Sequence, residues 1–132
     1  MLVNNELGTL LPVREVSQLI RRAGAPALLH CDAVQGFLKV PFTPKELGAD
    51  LVSISGHKVH APKGIGALYI RSGLKLKPLL LGGGQENGLR SGTEPTAPIA
   101  AFAAACRLGL SRREEDIRRM EDLKAYTLAR LA

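Results

Sequence analysis

The stretch SISGHK, residues 53–58, decides the fold. The apolar run Leu51–Ser55 predicts a buried β-strand, and it passes directly into a turn of small polar residues that ends in Lys58. The preceding apolar run, ALLHC at residues 27–31, predicts another strand, and Asp32 follows directly after it. If the two strands are parallel, both groups lie at the carboxyl edge of the sheet, where open α/β folds form ligand crevices. Taken alone, this carboxylate and this lysine are most simply an ion pair.

Helical and extended patterns alternate along the rest of the chain. This alternation predicts an α/β fold with a mostly parallel sheet flanked by helices. The remaining predicted elements are a helix over 12–23, a short helix opened by the capping box Thr43–Glu46, a strand over 66–70, a functional loop over 75–96, a helix over 98–110 and a helix opened by a second capping box, Ser111–Glu114.

The composition excludes several classes of protein. Apolar residues make up 45% of the 132 residues, too many for a disordered chain, and no apolar run approaches the ~20 residues of a membrane span. The net charge is +6, but the basic residues are scattered and aromatic residues make up only 4%, so we expect no nucleic-acid partner. Cys31 and Cys106 are too far apart in sequence for a disulfide framework, and no secretory signal is visible. These features predict a cytoplasmic protein with no membrane partner.

The turn after the second strand places phosphate-binding side chains next to an amine. Ser55 and His57 can bind a phosphate while Lys58 forms an imine with a carbonyl group. Pyridoxal 5′-phosphate (PLP) carries both groups, together with a pyridine nitrogen that needs a carboxylate partner. Asp32 would keep that nitrogen protonated, and Gln35 could donate to the phenolic oxygen of the ring. The surrounding residues therefore favour a PLP site over a plain ion pair.

The histidines and cysteines do not predict a metal site. His30, Cys31, Asp32, His57 and His60 lack the paired spacing of metal ligands. Side chains of neighbouring strand residues such as His30 and Cys31 also point to opposite faces of the sheet. We therefore expect no metal.

Several blocks of the sequence occur in the order of a known enzyme family. They are Val3–Gly8, His30–Gln35, Ser53–Lys58, Pro62–Tyr69, and Gly82–Glu86 followed by Arg90–Thr93. With these blocks, the chain resembles the cysteine desulfurases and selenocysteine lyases, class V aminotransferases of the fold-type I PLP enzymes. The resemblance implies that residues 1–110 are part of the PLP-binding large domain. Residues 111–132 would be the helix that connects it to a C-terminal small domain.

The resemblance also implies roles for individual residues around the cofactor. Lys58 is expected to be the Schiff-base lysine and catalytic base, and Asp32 the partner of the pyridine nitrogen. Gln35 is expected to bind the ring oxygen, while Ser55 and His57 bind the phosphate.

Two further residues are assigned by the same resemblance. Asn5 is expected to lie over the cofactor, near the substrate carboxylate. Thr93 is expected to reach the cofactor phosphate of the neighbouring subunit, which implies a homodimer. Neither Cys31 nor Cys106 takes the place of the sulfur-accepting cysteine, which is expected downstream of Ala132.

The function implied is that of a PLP-dependent cysteine desulfurase. It converts L-cysteine to L-alanine and passes the sulfur, as an enzyme persulfide, to an acceptor protein for iron–sulfur cluster or thio-cofactor supply. Two alternatives remain: a selenocysteine lyase or another class V enzyme, and a non-catalytic remnant that only binds PLP or a partner subunit. The chain on its own is expected to be inactive and poorly soluble.

Overall fold

The fold is a small sheet with helices around it, seen in a computed structural model that describes residues 1–131. The elements are helix α1 (Val13–Arg22), strand β1 (His30–Asp32), helix α2 (Pro44–Leu47), strand β2 (Leu51–Ser55), strand β3 (Gly66–Ile70) and helix α3 (Thr96–Leu131), with short 3-10 helices at Gly56–Val59 and Glu86–Gly88. The α/β class predicted from the sequence is confirmed.

The sheet has the strand order β1-β2-β3. Strands β1 and β2 are parallel, with Asp32 opposite Ser53. Strand β3 runs antiparallel to β2, with Gly66 opposite Ser55. The expectation of a mostly parallel sheet therefore holds for the pair β1 and β2, and β3 departs from it. Because β1 and β2 are parallel, their carboxyl ends share one edge of the sheet.

Strand β1 is shorter than predicted and begins later. The sequence placed a strand over residues 27–31 and Asp32 after it, whereas the strand is His30–Asp32. The N–H of Leu29 donates to Oδ2 of Asp50 at 2.8 Å. Because a side chain takes this donor, the regular strand starts only at the next residue.

The short helix α2 has the predicted cap. Thr43 Oγ1 accepts from the N–H of Glu46 at 3.1 Å, and Glu46 Oε2 accepts from the N–H of Thr43 at 2.8 Å. The helix ends at Gly48, whose φ of 65° is in the left-handed region. A Cβ at Gly48 would overlap Ser17 Oγ of helix α1, so glycine also allows the two helices to pack closely.

The second predicted capping box is wrong. Residues 98–110 and the stretch from Ser111 onward form one continuous helix, α3. The hydroxyl of Ser111 donates to the carbonyl of Leu108 at 2.8 Å, a bond within the helix that replaces the cap. The last position of the predicted helix 111–132 lies outside the described residues.

The core lies between the sheet, helix α1, helix α2 and the N-terminal segment. Its buried residues are Leu2, Val13, Cys31, Ala33, Leu47, Ala49 and Val52. Helix α3 is attached separately, through Phe102, whose ring meets Phe37 edge-on at 6.3 Å between centroids. Within residues 1–131, none of the helices is both long and apolar enough to cross a membrane.

Candidate active site

Asp32 is the last residue of β1 and is exposed, on the face opposite the buried Cys31. Its Oδ1 accepts from the N–H of Val34 at 2.9 Å, which orients the carboxylate at the start of the following turn. Among residues 1–131 the ion pairs are Arg71–Asp50 and Arg112–Asp116. The simple ion pair between Asp32 and Lys58 is therefore not formed, and Asp32 is available to a ligand.

The turn that follows β1 carries Gln35. The N–H groups of Gly36 and Phe37 donate to the carbonyl of Ala33 at 3.0 and 2.9 Å, so the backbone around Gln35 is fixed. The side chain of Gln35 is half-buried. This arrangement keeps Gln35 within three positions of Asp32 on a rigid turn.

The N-terminal segment lies against the same turn. The N–H of Leu2 donates to the carbonyl of Asp32 at 2.7 Å, and Leu2 packs so closely on Gly36 that a Cβ there would lie 2.9 Å from Leu2 Cδ2. Asn4 Oδ1 accepts from two backbone N–H groups and secures the next turn. Asn5 is exposed on that turn. The structure thus brings the segment that carries Asn5 alongside β1.

The chain after β2 brings Ser55 and His57 together. Ser55 Oγ and His57 Nδ1 are 2.8 Å apart, a hydrogen bond across the start of the 3-10 helix. Between them, Gly56 is buried, and its N–H donates to the carbonyl of Ile65 at 2.9 Å. A Cβ at Gly56 would lie 2.8 Å from Ile65 Cγ2, so a larger residue would displace this turn.

Lys58 follows in the same 3-10 helix and is half-buried. It lines a cleft of about 720 Å³ that Lys39 also lines. Burial lowers the pKa of Lys39, and the charge of Lys58 lowers it further. The opposite wall of the cleft belongs to helix α3 and includes Ala101, Ala104, Ala105 and Leu108. Lys58 therefore shares the cleft with a second amine and with a helix that contributes both apolar residues and the charged residues Arg112, Arg113, Asp116 and Arg119.

Thr93 lies apart from these residues in hydrogen bonding. It is exposed, and among residues 1–131 it makes no side-chain hydrogen bond to the other candidate residues. The preceding residue, Gly92, donates its N–H to Gln85 Oε1 at 3.0 Å. The structure thus leaves Thr93 facing solvent on a segment that is fixed by its neighbour.

Three residues make contacts that the sequence does not predict: Lys39, Gln85 and His30. Lys39 lines the cleft next to Leu38, whose φ of 63° is in the left-handed region. The sequence places Gln85 in the block Gly82–Glu86 but does not predict that its side chain bonds to Gly92. His30 Nε2 lies 3.2 Å from Ser53 Oγ, across the two parallel strands. No spacing in the sequence gives these contacts, since each joins residues brought together by the fold.

The residues present fit PLP. A hydroxyl hydrogen-bonded to an imidazole, a lysine one residue further and a carboxylate at the same sheet edge are the partners of a phosphate, an aldehyde and a pyridine nitrogen. Within residues 1–131, no three His, Cys, Asp or Glu side chains form a group that could hold a metal ion.

The two cysteines do not have the environment of a reactive thiolate. Cys31 is 1% exposed, and burial is the main cause that raises the pKa of its thiol. Burial also raises the pKa of the Cys106 thiol. Because the thiolate is the nucleophilic form, both cysteines are poor candidates for a sulfur acceptor.

Comparisons with known proteins show which family the chain belongs to. The family model "Aminotransferase class-V" matches residues 1–132. The chain is 44% identical over 124 residues to a "Cysteine desulfurase" of Nostoc sp., covering 94% of this chain and 30% of that protein. It is 47% identical over 118 residues to "Cysteine desulfurase IscS" of Rickettsia typhi, covering 88% of this chain and 28% of that protein.

Solved structures give the same result. A "NIFS-LIKE PROTEIN" superimposes with a TM-score of 0.94 at 41% identity, over 99% of this chain and 36% of that one. DndA from Streptomyces lividans superimposes with a TM-score of 0.85 at 40% identity, over 100% of this chain and 38% of that one.

The chain spans about a third of the length of the curated relatives that it matches. Class V aminotransferases and cysteine desulfurases are PLP-dependent enzymes, in agreement with the residues at the sheet edge. From its sequence match and its fold, the chain belongs to the class-V aminotransferase family and is similar to the cysteine desulfurases.

Proposed function

We propose that this chain carries the cofactor site of a PLP-dependent enzyme that removes sulfur from L-cysteine and leaves L-alanine. The observation that carries the proposal is the shared carboxyl edge of β1 and β2, which holds Asp32 on one strand and the hydrogen-bonded Ser55 and His57 on the other. Lys58 follows within the same turn. No other described part of the chain combines a carboxylate, phosphate donors and an amine in this way.

Lys58 is proposed to have two tasks. Its amine would hold the cofactor through the cofactor's aldehyde group, and as a free amine it would accept the proton from the substrate α-carbon. PLP, when bound, supplies the electron-withdrawing ring that makes this proton acidic. Lys58 is half-buried and lines the cleft beside helix α3, which leaves its amine open to a ligand from the cleft.

The neighbouring side chains are proposed to hold the cofactor at its ends. The Asp32 carboxylate would accept a hydrogen bond from the protonated pyridine nitrogen and keep that proton in place. Ser55 and His57 would donate to the phosphate, and Gln35 to the phenolic oxygen. Asn5 would contact the cofactor or the substrate carboxylate from the turn beside β1.

Further proposals concern the assembly around this site. Thr93 would bind the cofactor phosphate of a second copy, so the enzyme would act as a homodimer. We assign residues 1–110 to the PLP-binding large domain and 111–132 to the helix that leads towards a small domain.

The sulfur would pass as a persulfide to a cysteine other than Cys31 and Cys106, and from there to an acceptor protein for iron–sulfur cluster or thio-cofactor supply. The free cysteines favour a reducing compartment, and we propose the cytoplasm.

Borohydride reduction of the protein in the presence of PLP tests the assignment of Lys58. Mass spectrometry should find the pyridoxyl group on the peptide that contains Lys58, and Lys58→Ala should abolish this product. Lys39 is the matched control, because it lines the same cleft with a lowered pKa. Labelling of Lys39 or Lys63 instead of Lys58 would contradict the proposal, and no labelling of a folded protein would favour a non-catalytic remnant.

A further inference from the structure

The segment from Leu80 to Gly92 forms a closed loop, because hydrogen bonds join its two ends. Leu80 and Arg90 form an isolated bridge, and the N–H of Ser91 donates to the carbonyl of Leu80 at 3.2 Å. Inside this closure the N–H of Gly88 donates to the carbonyl of Gly84 at 2.9 Å. The segment is therefore held in shape by its own contacts, and we call it the glycine loop.

The side chain of Gln85 crosses the glycine loop. Its Oε1 accepts from the N–H of Gly92 at 3.0 Å. Gln85 is half-buried, whereas the residues on both sides of it are exposed. A Cβ at Gly83 would lie 2.9 Å from Gln85 Nε2, so the amide of Gln85 occupies the space that a larger residue at Gly83 would need.

Gly92 is held from a second direction as well. Its φ of 125° is in the region that favours glycine, and Arg90 Nη1 lies 2.7 Å from the position of a Cβ. Gly92 directly precedes Thr93, whose side chain is exposed. The Ser91–Gly92 peptide group is thus held through its N–H by Gln85, one residue before Thr93, and the Arg90 side chain lies beside Gly92.

We propose that Gln85 is a positioning residue for Thr93. By accepting the N–H of Gly92, it fixes the backbone so that the Thr93 hydroxyl faces outward, towards a phosphate group bound by a second copy of the chain. An amide oxygen satisfies this N–H without adding a negative charge beside the phosphate. The inference rests on the role given to Thr93 in the proposed function.

Hydrogen exchange measures the contact itself. Replacing Gln85 with methionine keeps the length of the side chain and removes the acceptor, so the amide of Gly92 should exchange about two- to tenfold faster. Gln85→Glu keeps an acceptor at the same place and should retain the slow exchange. Glu86→Gln is the matched control, because Glu86 is exposed on the neighbouring position. Unchanged exchange in Gln85→Met would overturn the inference.

A double-mutant cycle on cofactor release tests the link to Thr93. In the PLP-loaded protein, Thr93→Ala and Gln85→Met should each speed the release of PLP, and the double variant should release it no faster than Thr93→Ala alone. Gly83→Ala, which displaces the Gln85 amide by its Cβ, should act in the same direction as Gln85→Met. The midpoint of thermal unfolding, measured for each variant, shows whether the protein remains folded.

The possible failures can be told apart. If Thr93→Ala speeds release and Gln85→Met does not, the positioning role of Gln85 is wrong and the role of Thr93 stands. Additive effects in the double variant would mean that Gln85 acts independently of Thr93, which also overturns the inference. If Thr93→Ala leaves release unchanged, the role of Thr93 in the proposed function is wrong, and the inference about Gln85 is overturned with it.

Discussion

Asp32 lies opposite Ser53 in the register of the parallel strands β1 and β2. Ser55 is two residues further along β2, roughly 7 Å beyond the level of Asp32, and its side chain is on the same face as that of Ser53. The carboxylate of Asp32 and the hydroxyl of Ser55 are therefore at different levels on the same face, at the carboxyl end of the two strands. This spacing suits a ligand with a protonated nitrogen at one end and a phosphate at the other.

The first prediction concerns Asp32→Asn. The amide oxygen can still accept from the N–H of Val34, so the turn should remain intact and PLP should still bind at Lys58. Turnover of L-cysteine in the active enzyme should fall roughly 100-fold or more, because a neutral amide cannot hold the ring nitrogen protonated. Alanine and sulfide release measure turnover, and Asp122→Asn on helix α3 is the control. Unchanged turnover would contradict the role of Asp32.

The second prediction concerns Gly56→Ala. The added methyl group would meet Ile65 Cγ2 at 2.8 Å and the backbone oxygen of Ile65 at 3.1 Å, in a turn that is buried. We expect a loss of about 1–3 kcal/mol in the free energy of unfolding, measured in urea. The yield of borohydride labelling at Lys58 should fall as well, since the same turn carries the lysine. A variant with normal stability and normal labelling would show that the turn tolerates the methyl group.

The third prediction concerns Asp50→Asn. The N–H of Leu29 and the guanidinium of Arg71 both donate to the Asp50 carboxylate, and these two bonds, that of Leu29 first, lower the pKa of Asp50. A folded-state pKa below the ordinary value gives stability that is present above the ordinary value of 3.8 and is lost as pH falls below it. At neutral pH, Asp50→Asn should lower the free energy of unfolding by about 1–3 kcal/mol.

Acid titration supplies the check on Asp50. The difference in stability between the parent protein and Asp50→Asn should shrink as the pH falls below 3.8. Asp116→Asn is the control, because its pair with Arg112 is exposed and 3.8 Å long, and its removal should cost less than about 0.5 kcal/mol. A difference that stays constant into acid would refute the electrostatic explanation.

The fourth prediction concerns Lys39→Met. Burial and the charge of Lys58 both lower the pKa of Lys39, so the folded state holds this proton less tightly than the unfolded state. The charge of Lys39 therefore lowers the free energy of unfolding at neutral pH. This destabilisation disappears as the pH rises towards 10.5, the ordinary pKa of a lysine. Lys39→Met should therefore be more stable than the parent at neutral pH, with an advantage that vanishes in alkaline solution. Urea unfolding at both pH values measures this, with Lys63→Met as the control.

The fifth prediction concerns the cysteines. The purified 132-residue chain, given PLP and L-cysteine, should release no sulfide or alanine above a PLP-only control and should have poor solubility. The reason that we expect no release is that burial raises the pKa of both thiols, since Cys31 is buried and Cys106 is half-buried. Release that Cys31→Ser or Cys106→Ser abolishes would identify that cysteine as the sulfur acceptor after all.

Local patterns predicted some elements correctly and others not. The bounds of β2 and β3 match the apolar runs because backbone pairing along both strands is regular. The start of β1 differs because Asp50, distant in sequence, takes the N–H of Leu29. The break expected at Ser111 is absent because its hydroxyl bonds back into the helix. Capping patterns show only that a cap can form, and the packing of the helix decides whether it does.

The candidate site, too, could be predicted only as far as it depends on the types of residue and not on contacts between residues distant in sequence. The types of residue at Asp32, Ser55, His57 and Lys58 favour a PLP site, since each could supply one interaction that the cofactor needs. Lys39 and Gln85 were not recognised, because their importance depends on which residues lie beside them in space. Lys39 shares a cleft with Lys58, and Gln85 bonds to the backbone of Gly92. Such contacts follow from the fold and leave no periodic signal.

The unbroken helix α3 acts as a rigid rod about 54 Å long. It is attached through Phe102 near its start, and further along it lines the cleft opposite Lys58 as far as Leu123. Because each added residue turns a helix by about 100°, one residue inserted after Phe102 would rotate every later side chain away from the cleft, although all the original residues of α3 would still be present. The helical phase between Phe102 and Leu123 is therefore as important to the cleft as the residues themselves.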